Sequence, residues 1–214
     1  MKTRYQRVRQ ATLDFCSRLN PEDHVIQPVI DVSPPKWHMA HTTWFFETFV
    51  LKPFAPDYKE FDSNYNFLFN SYYEGVGQRT LRHERGFLSR PTVDEVLAYR
   101  AHVDKHMTTF LSQEIESKEI QDTVELGLQH EQQHQELLVT DTKYSLGSNP
   151  IFPVYDSKTN YLVKSETHTT EWIPIKEEVV EIGHKGDGFC FDNELSVHKA
   201  LLQAGKIHSR LVTN

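Results

Sequence analysis

Cysteine is almost absent from this sequence, with Cys16 and Cys190 the two examples in 214 residues. Two cysteines so far apart cannot form a disulfide framework, which excludes a small disulfide-stabilised secreted domain. The basic N-terminal decapeptide leads into no apolar run, so it does not resemble a secretory signal. We therefore expect a cytoplasmic protein.

Dense basic tracts and long apolar runs are also missing. There are 23 Lys and Arg residues against 30 Asp and Glu, which gives a net charge of −7 and no electrostatic basis for binding nucleic acid or an anionic membrane surface. The most apolar stretch, residues 44–51, is interrupted by Glu47 and is far shorter than the roughly 20 residues needed to span a bilayer. Neither a nucleic-acid partner nor a membrane is expected.

Helical periodicity dominates the first 150 residues. Apolar positions recur three and four residues apart over about 3–19, 33–53, 92–118 and 120–145. Ser33 is the predicted N-cap of the second helix, and Thr92 with Glu95 forms a predicted capping box for the third. The irregular, aromatic segment 55–91 is long enough to suggest a function. Four helices with a long crossover predict a mainly α bundle over 1–150.

The remaining residues, 151–214, have a different character. Alternating β-branched and aromatic residues with Pro and Gly predict short strands over 151–182. A segment of this size cannot bury a core of its own. We expect an incomplete β-rich unit that packs on the bundle or self-associates.

Twelve histidines are the main compositional excess, and the heptapeptide HEQQHQE contains two of them on one helix. His130 and His134 stand four residues apart and so lie on one helix face, where both can bind a single metal ion. The second helix offers His38 and His41 within its most apolar part. His41 shares a face with two tryptophans and is the preferred third ligand, although spacing alone does not exclude His38.

Two competing interpretations use the same residue types. His102 and His106 are also four apart, but charged neighbours predict a solvated helix shoulder. The HEQQH sequence also satisfies the H-E-x-x-H pattern of zinc proteases, with Glu131 as general base. No suitable third ligand follows Glu136, which argues against a protease. Imidazole ligands suit Zn, Fe, Cu or Ni, so the ligand set does not define the metal.

Five segments of the sequence, in a fixed order, resemble those of one enzyme family. These are SPPKWHMAHTTWFFETF, FNSYYEGVGQR, RGFLSRPTVDEV, HEQQHQELLVTD and GFCFDNELSVHK. Together they resemble the sulfoxide synthases of ergothioneine biosynthesis, and the similarity extends over essentially the whole chain. Such enzymes join an N-terminal DinB-like four-helix bundle to a domain that resembles the formylglycine-generating enzyme. The resemblance implies a non-haem iron(II) (Fe²⁺) cofactor and O₂-dependent joining of a thiol to the imidazole of hercynine.

The resemblance also assigns roles to individual positions. The iron ligands fall on His41, His130 and His134, and Gln133 matches a residue that contacts the hercynine imidazole. Tyr72 and Tyr73 match a pair of tyrosines of which one acts as an acid. Arg82 and Arg85 match arginines that bind the carboxylate of the thiol substrate, cysteine or γ-glutamylcysteine.

The family pattern continues beyond residue 214, so the resemblance implies that 151–214 holds a linker and the truncated start of the second domain. Two alternatives stay open at this point. One is a catalytically silent metal-binding module of DinB type. The other is a thiol transferase or hydrolase that uses zinc or nickel on the same histidines.

Overall fold

A computed structural model describes residues 1–71, 77–157 and 169–212. Contacts between Cα atoms divide the chain into Met1–Thr159 and Asn160–Asn214. The first unit is helical, and the second contains short antiparallel strands. The predicted fold class, mainly α with a short β segment, is confirmed.

The helical unit is built from α1 (Lys2–Cys16), α2 (Pro35–Phe46), α3 (Lys52–Phe54), α4 (Tyr65–Phe69), α5 (Val93–Phe110) and α6 (Lys118–Gly147). A π-helical turn, Glu47–Leu51, joins α2 to α3, and 3-10 turns lie at Pro21–His24 and Arg82–Phe87. The four long helices form the bundle, in which α2 packs against both α5 and α6 and α1 contacts the same two helices.

Helix α2 is central because its sequence is apolar nearly all round. All twelve of its residues are buried, among them Trp37, Trp44 and Phe46 at the middle of the hydrophobic core. Gly127 allows α6 to approach closely, since a Cβ at this position would lie 2.6 Å from Phe46 Cε1 and 2.8 Å from Phe45 Cε1. The two helices that carry the predicted ligands are therefore held in direct contact.

The first residues of α2 differ from the prediction. Pro34, not Ser33, is the N-cap, and the helix begins at Pro35, because a residue that precedes proline is disfavoured in the α conformation, which keeps Pro34 extended. The Ser33 hydroxyl instead accepts a hydrogen bond from Arg85 Nη1 at 2.9 Å. The capping box of α5 is present as predicted, with Glu95 N donating to Thr92 Oγ1 at 3.2 Å and Thr92 N donating to Glu95 Oε2 at 2.6 Å.

The second unit contains two antiparallel strand pairs. Strand β1 (Trp172–Ile175) pairs with β4 (Gly205–His208), and β2 (Glu178–Ile182) pairs with β3 (His198–Leu202). The first two strands lie in the predicted region, whereas β3 and β4 were not predicted. Most of the described strand residues are exposed.

Candidate metal centre

Three histidines from two helices converge in the bundle. His41 comes from α2, and His130 and His134 come from adjacent turns of α6. One ring nitrogen of each lies within 4.8 Å of the others, an arrangement that could hold a metal ion. The structure thus brings together the three positions that helix spacing and the family resemblance predict.

Hydrogen bonds already occupy some of the ring nitrogens. His41 Nδ1 donates to the Phe69 carbonyl at 2.6 Å, so the lone pair of the neutral ring is on Nε2. His134 Nδ1 lies 2.8 Å from His38 Nδ1. His130 Nδ1 is buried without a hydrogen-bond partner among the residues that the structure describes. A buried nitrogen without a hydrogen-bond partner, beside two further imidazoles, fits a set of metal ligands.

Burial keeps these imidazoles neutral. It lowers the pKa of His130 to about 4, and it lowers the pKa of His41 and of His134 well below the usual value, with a further decrease from the neighbouring histidines. Only a neutral imidazole offers a lone pair to a metal. The cluster is therefore in the correct protonation state for metal binding at neutral pH.

Two tryptophan rings lie nearly parallel to the His41 ring. The centroid of the Trp37 ring is 4.5 Å away and that of the Trp44 ring is 5.5 Å away. The Arg85 guanidinium in turn lies 3.4 Å from the centroid of the Trp37 ring, which is within cation–π range. This stacking restrains the plane of the imidazole and connects the histidine cluster to Arg85 through Trp37.

A cavity of about 330 Å³ opens beside the histidines. Its lining comprises Ser33, Trp37, His38, His41, Ser71, Arg82, Arg85, His130, Gln133, His134, Leu137 and Asp141. The predicted substrate-binding positions Gln133, Arg82 and Arg85 are thus all on the wall of the same cavity. Tyr72 and Tyr73 lie outside the described residues.

Arg85 is the more firmly held of the two arginines. It is buried, and its Nη1 and Nη2 donate to the hydroxyls of Ser33 and Ser71, each at 2.9 Å. Arg82 Nη2 donates to the Asp31 carbonyl. Two cationic side chains therefore line the cavity beside the imidazoles, together with the carboxylate of Asp141.

Sequence reasoning missed Asp141 and left the role of His38 open. Asp141 follows His134 by seven residues, two helical turns, and this spacing is a signal that could have identified it. Its Oδ2 lies 3.1 Å from His38 Nε2 and accepts a hydrogen bond from Ser33 N at 2.9 Å.

The second histidine pair lies elsewhere. His102 and His106 are half-buried against the ring of Tyr58, and His102 Nε2 lies 3.1 Å from the Lys59 carbonyl. The predicted solvated shoulder is therefore partly covered by residues 58–61. This pair does not join the three-histidine cluster.

Glu131, the acidic residue of HEQQH, does not line the cavity beside the histidines. It is completely buried, and its carboxylate accepts from Arg9 Nη1 at 2.9 Å, Arg100 Nη2 at 2.5 Å and Thr12 Oγ1 at 2.7 Å. The two guanidinium groups lower the pKa of Glu131 to about 2 against the opposing effect of desolvation. A permanently ionised, fully paired carboxylate cannot act as the general base of a zinc protease.

Among the described residues, no helix combines the length and the apolar character needed to cross a membrane.

Comparison with known families agrees with the bundle and its histidines. The sequence profile of the DinB superfamily matches residues 4–138, a range that contains all three clustered histidines and more than half of the chain. This superfamily includes metalloenzymes. No curated protein matches the chain significantly. The extent of the profile match shows that the chain belongs to the DinB superfamily.

Proposed function

We propose that this chain binds iron(II) through His41, His130 and His134 and supports O₂-dependent sulfoxide synthesis, in which a cysteine-type thiol is joined to hercynine. One observation carries the proposal. The three-histidine cluster shares its cavity with Gln133, Arg82 and Arg85. A metal bound by the histidines would therefore face the same space as side chains that can bind a zwitterionic amino acid. The resemblance of five sequence segments to sulfoxide synthases supplies the reaction class.

Three neutral imidazoles suit a catalytic site better than a structural one. They leave coordination positions open, whereas structural sites are usually closed by four protein ligands. When bound there, iron(II) would supply the one-electron and O₂ chemistry that side chains lack. In the overall reaction, the imidazole C–H and the thiol S–H are replaced by a C–S bond, one oxygen atom goes to sulfur and the other leaves as water.

Arg85 is suited to binding a substrate carboxylate. A guanidinium group offers several N–H donors in a planar fork that matches a carboxylate. The Ser33 and Ser71 hydroxyls and the Trp37 ring fix its position, so little side-chain entropy is lost on binding. In our proposal Arg85, with Arg82, holds the carboxylate of the thiol substrate.

Gln133 has a complementary task. It lies one position before His134 on α6 and also lines the cavity. Its amide can donate to one nitrogen of an imidazole ring or accept from the other. We assign it to orientation of the hercynine ring. Tyr72 or Tyr73 would act as the proton donor, since a phenol carries a transferable proton yet is neutral at pH 7.

The decisive experiment is anaerobic reconstitution with Fe(II), followed by addition of hercynine, a thiol and O₂. Mass spectrometry should detect the sulfoxide conjugate, with either cysteine or γ-glutamylcysteine as the thiol. Arg85→Met should raise the KM for the thiol substrate. His102→Ala, which removes a histidine outside the cluster, is the matched control and should keep both iron and activity.

Other outcomes would redirect the proposal. One bound iron per chain without any product would indicate a catalytically silent metal-binding module. A thiol adduct that forms with zinc or nickel in the absence of O₂ would indicate a thiol transferase. Loss of the metal in His102→Ala would show that the site is wrongly placed.

A further inference from the structure

We propose that His38 and Asp141 form a hydrogen-bonded relay that orients His134 and presents its Nε2 atom to the metal. This inference rests on the proposed metal site. His38 comes from α2, whereas Asp141 and His134 both come from α6. The relay therefore connects the two helices that supply the ligands.

The direction of each hydrogen bond follows from the chemistry of its partners. A carboxylate oxygen can only accept, so His38 Nε2 donates to Asp141 Oδ2 at 3.1 Å. A neutral imidazole has a single N–H, and in His38 the hydrogen bond to the Asp141 carboxylate places it on Nε2. His38 Nδ1 is then an acceptor, and His134 Nδ1 must donate to it at 2.8 Å. That leaves the lone pair of His134 on Nε2.

His41 reaches the same state through a different partner. Its Nδ1 donates to the Phe69 carbonyl at 2.6 Å, so its lone pair is also on Nε2. Histidines that bind metals commonly donate their other N–H to a carbonyl or a carboxylate, which fixes the ring and raises its basicity. In this chain His134 donates to the imidazole of His38, which in turn donates to the carboxylate of Asp141.

The same geometry resolves the choice between His38 and His41 as the third ligand. Both ring nitrogens of His38 are within hydrogen-bond distance of a partner, His134 on one side and Asp141 on the other. Asp141 is itself held by a hydrogen bond from Ser33 N at 2.9 Å. His38 is therefore a positioning residue, and His41 is the ligand.

Metal affinity tests the relay when His38 is replaced in two ways. His38→Leu removes both hydrogen bonds. His38→Gln keeps an amide that can accept from His134 and donate to Asp141. We expect Co(II), measured by calorimetric titration, to bind His38→Leu about 10-fold or more weakly than the wild type, and His38→Gln to recover most of the affinity. His102→Leu, at a half-buried histidine outside the site, is the matched control and should bind normally.

Nitrogen-15 NMR of the metal-free protein gives a readout that does not depend on metal binding. The His134 ring should be the Nδ1–H tautomer in the wild type and in His38→Gln, and a mixture of tautomers in His38→Leu. Thermal unfolding of each metal-free variant verifies that the bundle is intact.

Several results would overturn the relay. These are an Nε2–H tautomer at His134 in the wild type, wild-type Co(II) affinity in His38→Leu, or equal weakening in His38→Gln and His38→Leu. Failure of the wild type to bind Co(II), with the Nδ1–H tautomer still observed, would instead refute the metal site and leave the hydrogen-bonded relay standing.

Discussion

Replacing Glu131 by glutamine perturbs the most deeply buried charge cluster in the bundle. The carboxylate is fully buried between Arg9 and Arg100, which are 2% and 1% exposed. Glutamine has nearly the same shape, but its NH₂ group would face a guanidinium donor, and one positive charge would lose its partner. Breaking a buried ion pair in this way costs about 3–5 kcal/mol.

The lowered pKa of Glu131 agrees with a stabilising effect of this order. It falls from the usual 4.5 to about 2 in the folded protein, which corresponds to stabilisation on the order of 3 kcal/mol at neutral pH. Because the folded-state pKa is the lower one, this contribution is fully present above about pH 4.5 and is lost as the pH falls through about 2.

Urea unfolding at pH 7 measures the effect. We expect Glu131→Gln to lower the free energy of unfolding by about 3–5 kcal/mol. Because the variant has no carboxylate to protonate at this position, its stability should fall less than that of the wild type when the pH is lowered. Glu136→Gln, at an exposed position on the same helix, should change stability little. Co(II) affinity of the folded variant should stay near the wild-type value, since the carboxylate is paired with Arg9, Arg100 and Thr12 and does not line the cavity beside the histidines. Unchanged stability, or lost metal with full stability, would refute the structural role of Glu131.

Three further predictions concern packing, capping and the metal. Gly127→Ala should lower the melting temperature, since overpacking against Phe46 costs about 1–3 kcal/mol. Gly147→Ala is the control and should leave the melting temperature unchanged, because nothing lies within 4 Å of a Cβ at that position. Equal melting temperatures of the two variants would contradict the close approach of α2 and α6. Thr92→Ala should cost about 1 kcal/mol in urea unfolding through loss of the α5 N-cap, and a fully stable variant would show that the cap is dispensable. Co(II) at 100 times its dissociation constant should raise the free energy of unfolding by about 2.7 kcal/mol, reversibly with EDTA, and His130→Ala should abolish that gain.

The four long helices were predictable because each has a strong apolar period or a clear terminal signal. Thr92 with Glu95 marked the start of α5 correctly, since a capping box is a local interaction. The predicted start of α2 was wrong by one residue, since Pro34 and not Ser33 is the N-cap. The Ser33 hydroxyl is bound by Arg85 from a distant part of the chain, and the local sequence does not predict that contact.

The strand prediction was incomplete for a related reason. Strands β1 and β2 contain β-branched residues in short runs, whereas β3 (His198–Leu202) and β4 (Gly205–His208) carry lysine and histidine and have a weak alternation. Their pairing with β2 and β1 is a long-range property. Local propensity alone therefore could not identify them.

Candidate ligands could be named from the sequence because an imidazole on an apolar helix face is costly to bury unless its nitrogens are satisfied. That argument identifies His41, His130 and His134 as candidates, but it applies equally to His38. The distinction depends on Asp141, two turns beyond His134 on α6, which takes the second nitrogen of His38. A search of the sequence for ligands finds groups that can bind a metal, whereas only the packing of α2 against α6 shows which of them already have a partner. In the proposed site the hydrogen-bond partner, more than the residue type, separates the histidines assigned as ligands from the one assigned to orient them.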